Sequence, residues 1–126
     1  MIHMLRTQYG SISLAVELQH VQSILTIQEA QGLRVLALTK WLGDEADVTR
    51  GHIGLISQPS GEYIGIHLGI MKGIDLIETT ILRRIPAWVY SVMPPIFHPA
   101  CLDEEDITWI LDLPKIIKTI NNTPII

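Results

Sequence analysis

Apolar residues along this chain fall into short runs with a period of two, and no long helical stripe is present. Ile12-Ser13-Leu14-Ala15-Val16, Ile53-Gly54-Leu55-Ile56-Ser57 and Tyr63-Ile64-Gly65-Ile66-His67-Leu68-Gly69-Ile70 each read as strands, because alternate side chains of an extended chain share a face. His3 to Ser13 alternates weakly around Tyr9-Gly10, which predicts a hairpin turn. Val21, Ile24 and Leu25 carry a helical or bent spacing. Gln28-Glu29-Ala30-Gln31-Gly32 reads as a turn in which Gly32 takes a positive φ, and Gln58 to Glu62 as another by its Pro, Ser and Gly. The glycines between Tyr63 and Ile70 predict a bulge or close backbone packing, and Gly73 is expected to open a turn before Ile74 and Leu76. Ile85 to Pro99 holds four prolines and is expected to be an irregular connection outside any sheet centre.

One motif occurs twice. Val35-Leu36-Ala37-Leu38-Thr39-Lys40-Trp41-Leu42 returns in outline as Ile110-Leu111-Asp112-Leu113-Pro114-Lys115-Ile116-Ile117, and each copy reads as a strand running into a short helix. Thr39 is the expected N-cap of the first helical turn, Gly43 its stop, and Asp112 the cap of the second helix before Pro114. Asp44 to Arg50 reads as a polar loop, Asp103-Glu104-Glu105-Asp106 as an acidic turn, and Asn121 to Ile126 as a frayed tail. Many short strands between frequent turns predict an all-β protein of two small barrels, built as half-domains at approximately 3–50 and 51–120 of a single 1–126 domain.

Composition adds to this picture. The 126 residues include 21 Ile and one Phe, and this β-branched excess favours strands. Only 17% of the residues are charged, so some apolar surface should remain exposed for partners, homo-oligomers through exposed strands included. A net charge of −4 argues against nucleic acid. No run approaches the roughly 20 apolar residues of a membrane span, so no direct membrane insertion is expected. The lone Cys101 suits a reducing compartment, and Met1-Ile2-His3-Met4 lacks the regions of a signal peptide, so the expected location is cytoplasmic.

Candidate chemistry is sparse. His3, His20, His52, His67 and His98 share no metal-ligand spacing, so no metal is expected, and no glycine-rich phosphate loop opens a helix, so no cofactor is either. His98 and Cys101 would suit a thiol–imidazole pair, but no third orienting group accompanies them. The acidic turn lacks the ligand spacing of a calcium loop. Trp41, Trp88 and Trp109 read as packing residues, Trp88 being the one expected to be exposed.

The order of elements resembles the chemotaxis coupling family, the CheW-like domain. The resemblance rests on the corner Val21-Gln22-Ser23-Ile24, the Gly-led strand Gly32 to Leu38 followed by Leu42-Gly43, and the hairpin strand Tyr63 to Leu68 followed by Gly73-Ile74. The closing motif Trp109-Ile110-Leu111-Asp112-Leu113 is its most specific piece, and the match spans roughly His3 to Ile117. This chain has Gln31-Gly32 where the family has Arg-Gly, Leu68-Gly69 where it has Val-Asp, and a shorter connection before Gly32, as in a divergent, short member. The resemblance implies two SH3-like five-stranded barrels packed together, with short helical turns. It also implies a non-enzymatic adaptor that couples the cytoplasmic tip of a chemoreceptor to the regulatory domain of a histidine kinase. It places partner contact at Val21, Gln31, Gly32 and Arg34. A small-ligand-binding or sensor domain of β-barrel type is the alternative, and it would need a pocket between the barrels.

Overall fold

The computed structural model describes residues 1–43 and 47–121. β1 (Ile2–Tyr9) and β2 (Ile12–Glu17) form the predicted hairpin, antiparallel from Tyr9 opposite Ile12 to Met4 opposite Glu17, with Gly10 in the turn at φ 62°. A 3-10 turn at Leu18–His20 leads into β3 (Ser23–Thr26), so the spacing at Val21 is a bend followed by extended chain. The two-residue β4 (Val35–Leu36) precedes α1 (Thr39–Leu42). β5 (His52–Ser57) and β6 (Tyr63–Ile77) form a second hairpin. A 3-10 turn at Thr79–Ile81, β7 (Leu82–Arg84), α2 (Ala87–Tyr90), β8 (Phe97–Asp103), β9 (Ile107–Leu111) and α3 (Leu113–Asn121) complete the order.

Two sheets result, and β6 runs through both. In one sheet the strands lie in the order β6-β1-β2-β9-β8-β7; the other comprises β3-β5-β6, with β4 on the second edge of β6. Tyr63 to Gly69 pairs with β5, and Ile70 to Ile77 pairs with β1. The main core draws Leu5, Tyr9 and Leu14 from the first sheet, Ile56, Ile64 and Leu68 from the second, and Ile116 from α3. Met4, Ala15, Ile77, Leu102 and Ile110 form a smaller cluster that includes Met4, the chain neighbour of Leu5, so successive residues of β1 are buried on opposite faces. The all-β architecture with few short helices is as expected, with six strands in one sheet and four in the other where five and five were expected. The first sheet takes its strands from 2–17 and 70–111 and the second from 23–69, so a division into 3–50 and 51–120 follows neither sheet.

Several local expectations change. Gly73 opens no turn: it lies inside β6 opposite Arg6, beside a bulge that leaves Lys72 as the extra residue. A strand bent at glycines reads from sequence as two strands and a turn. The other bulge, between His52 and Ile53, leaves Leu68 extra on β6, as the glycines there predicted. Pro99 lies within β8, at an irregularity between Phe97 and Cys101 where its missing N–H breaks no regular ladder. Leu38, with no capping side chain, holds the N-cap position of α1, and Thr39 is its first helical residue; Gly43 ends it at φ 74° as expected. Asp112 does cap α3, its Oδ1 accepting from Lys115 N at 3.1 Å. Glu104 and its neighbours form the expected acidic turn between β8 and β9. Of the loop expected at 44–50 and the tail at 121–126, residues 44–46 and 122–126 lie outside the described residues.

The acidic turn is tied to the first sheet by Arg6. Its Nη1 and Nη2 donate to the two oxygens of Glu104 at 2.8 and 3.0 Å, and its Nε lies 2.6 Å from Asp75 Oδ2. The hydrogen bond from Arg6 holds the Glu104 carboxyl below the ordinary glutamate range. A depressed folded-state pKa stabilises the fold above the unfolded carboxylate value, and that contribution disappears as pH falls through the folded value. Because Glu104 is largely exposed, its contribution is below about 1 kcal/mol and is screened by salt. Urea denaturation at a series of pH values should show a shallower acid-side loss of stability in Glu104→Gln than in the unaltered protein. Parallel curves would show that the pair contributes nothing.

Candidate functional site

The four residues expected to contact partners do not form one patch. Gln31 and Gly32 lie in the exposed loop between β3 and β4. That loop is wound by a reciprocal box: Thr26 N donates to Glu29 Oε1 at 3.0 Å, and Glu29 N donates to Thr26 Oγ1 at 3.2 Å. The hydrogen bonds from Thr26 hold the Glu29 carboxyl below its ordinary range. The Thr-x-x-Glu spacing is a sequence signal for this turn that the hydrophobic pattern alone does not give. Gly32 lies in the left-handed region at φ 86°, with open space where a Cβ would stand. Arg34 exposes its side chain, while its carbonyl accepts from Gly65 N at 2.9 Å.

Val21 lies elsewhere. It ends the 3-10 turn, its N–H donating to Leu18 O at 3.0 Å, and its half-buried side chain packs on the main core. The next residue, Gln22, donates its N–H to Leu55 O at 2.7 Å. Leu55 stands opposite Gly65, and Gly65 bonds Arg34, so Val21 and Arg34 mark opposite edges of the β3-β5-β6-β4 sheet. Three strand spacings separate those edges along the sheet, roughly 14 Å.

What the Val21 corner does adjoin is a groove of about 470 Å³. Its apolar floor is Ile56, Leu113 and Ile117, and its rim is Gln19, His20, Gln22, Ser57 and Gln58, with Pro59 and Pro114 at the sides. Each wall is locally fixed. Glu17 Oε2 accepts from Gln19 Nε2 at 2.8 Å and lies 3.6 Å from His20 Nε2. The β5–β6 turn closes through Gln58 N to Glu62 O at 2.8 Å. Asp112 N donates to Ile96 O at 2.8 Å, and the Asp112 cap sets the start of α3. An apolar floor under amide-bearing walls can take up an apolar side and satisfy polar groups beside it. Its lining includes no carboxylate and no thiol.

The remaining chemistry is accounted for by packing. His98 Nδ1 accepts from Ala100 N at 3.1 Å. Cys101 is buried, and burial pushes its thiol up, away from the thiolate that nucleophilic catalysis needs. His67 is buried with Nε2 bonded to Arg50 O at 2.6 Å, and its ring meets Tyr9 edge-on. Among the described residues no group of three His, Cys, Asp or Glu is placed to hold a metal ion, and no helix is long and apolar enough to cross a membrane.

Neither a family model nor a curated protein matches this chain. The structure is similar to the crystal structure of the scaffolding protein TtCheW from Thermoanaerobacter tengcongensis, with a TM-score of 0.70 over 89% of this chain and 84% of that one, at 10% identity. At that identity the likeness is one of fold. The CheW-like fold suggested by the order of elements is the fold of this chain.

Proposed function

We propose that this chain is a non-enzymatic adaptor of chemotaxis-type two-component signalling, joining a chemoreceptor tip to the regulatory domain of a histidine kinase in the cytoplasm. The observation that carries this reading is the agreement in fold, over 89% of the chain, with a protein described as a scaffold. The physics of the surface supports it. The groove beside Val21 suits the apolar face of a helix, as a receptor tip would present, with Gln19, Gln22 and Gln58 to meet its polar flanks. The opposite edge, with Gln31, Gly32 and Arg34, would meet the like-folded kinase domain, strand edge to strand edge.

The two surfaces can be separated by mutation. Ser57 is exposed at the groove, so Ser57→Arg fills the mouth without entering the core. It should weaken capture of a receptor tip about tenfold or more and leave kinase-domain capture unchanged, whereas Arg34→Glu should do the reverse. Unchanged binding of both partners by both variants would remove the proposal. A second reading rests on the groove's size, which lies within the range of small-molecule sites. A metabolite that raises the melting temperature of the unaltered protein but not of Ser57→Arg would favour a sensor.

A further inference from the structure

From Ile70 to Ile77, β6 pairs with β1 along one edge, and among the described residues no strand pairs with its other edge. The register shows which amides face that free edge. Met71, Ile74 and Leu76 stand opposite Thr7, Leu5 and His3, alternate residues of β1 and so one class of ladder position. Met71 N donates to His52 Nδ1 at 3.3 Å, on the β5 side of the strand. Ile74 and Leu76 belong to the same class, so their amides also point away from β1, toward solvent. Their side chains are exposed too, Ile74 at 49% and Leu76 at 53%, beside Met71 at 38%.

The same stretch carries opposite charges. Lys72 is exposed and makes no ion pair among the described residues. Asp75 shares Arg6 with Glu104, so two carboxylates surround one cation and leave an excess negative charge. We infer that this edge binds a second copy of the chain, the two β6 segments running antiparallel about a two-fold axis at Ile74. Because Lys72 is the extra residue of the bulge, Met71 of each copy then stands opposite Leu76 of the other, and Gly73 with the bulged Lys72 stands opposite Asp75, so Lys72 of each copy adjoins Asp75 of the other. The contact is isologous, and its charges are self-complementary. Edge lysines ordinarily discourage strand addition; here Lys72 rejects strands without an acid at this position and accepts its own.

Sedimentation of the full chain over a range of concentrations tests this. The unaltered protein should dimerise reversibly. Lys72→Asp and Asp75→Lys should each weaken dimerisation about tenfold or more. Mixed in equal amounts, the two variants should dimerise again, since every cross-strand pair is then opposite in sign. Leu76→Arg, at an exposed position outside the ion cluster, should weaken dimerisation while circular dichroism stays unchanged. An unaltered protein that stays monomeric throughout, a Lys72→Asp variant that dimerises as before, or a mixture that fails to recover would each overturn the inference.

Discussion

Gly69→Ala is expected to remove most or all of the folded protein, while Gly32→Ala should cost only about 1 kcal/mol, the ordinary cost of a left-handed residue with a Cβ. The two glycines have nearly the same φ, 85° and 86°. They differ in what surrounds them. A Cβ at Gly32 meets nothing within 4 Å, whereas a Cβ at Gly69 would lie 2.3 Å from Gln8 O and 2.9 Å from Gln8 C. Those atoms are backbone of β1 and cannot rotate aside as a side chain could. Gly69 is also the last residue of β6 to pair with β5, opposite His52, immediately before Ile70 pairs with Gln8 of β1. A displacement there separates the two sheets that share the main core. The loss should exceed about 4 kcal/mol, placing it among the largest single-residue effects, against a typical total of roughly 5–15 kcal/mol. Denaturant midpoints of the two variants decide the matter. Equal, small shifts would mean that β1 yields at Gln8 and that the switch between sheets is not rigid.

That comparison also shows what the sequence could and could not convey. The hairpin of β1 and β2, the strand at β5 and the cap at Asp112 are local features, and alternation or capping chemistry is enough to read them. The length of β6 is not local. Gly69 and Gly73 look like turn residues unless Gln8 and Arg6 are known to lie beside them. The candidate groove was still less legible, because its walls come from Gln19 to Gln22, Ile56 to Pro59 and Leu113 to Ile117, which share no motif. Val21 and Arg34, by contrast, are close in sequence and sit on opposite edges of a sheet. A resemblance in the order of elements gave the fold correctly, while the distribution of side chains over surfaces required the register.

The tryptophans allow the closing motif to be tested directly, because Trp109 and Trp88 should respond in opposite ways to the same substitution. Trp109 lies on β9, the strand held between β2 and β8, with Leu14 and Cys101 as its neighbours in register. Its ring is half-buried against the main core and lies 6.3 Å from that of Phe97, at a tilt of 59°. Removing such a side chain costs about 3–5 kcal/mol in packing alone. A carboxylate in its place adds the cost of a poorly solvated charge with no partner. Trp88 stands on α2 with 77% of its surface exposed, and the helix is secured by other groups, with Tyr90 Oη donating to Phe97 O at 2.7 Å. Trp109→Asp should therefore unfold the protein or lower its melting temperature by ten degrees or more, at about 4 °C per kcal/mol for a domain of 126 residues. Trp88→Asp should lie within about 0.5 kcal/mol of the unaltered protein. If Trp109→Asp stayed as stable as Trp88→Asp, the ring would not join β9 to the shared core, and the motif Trp109-Ile110-Leu111-Asp112-Leu113 would owe its form to something other than packing.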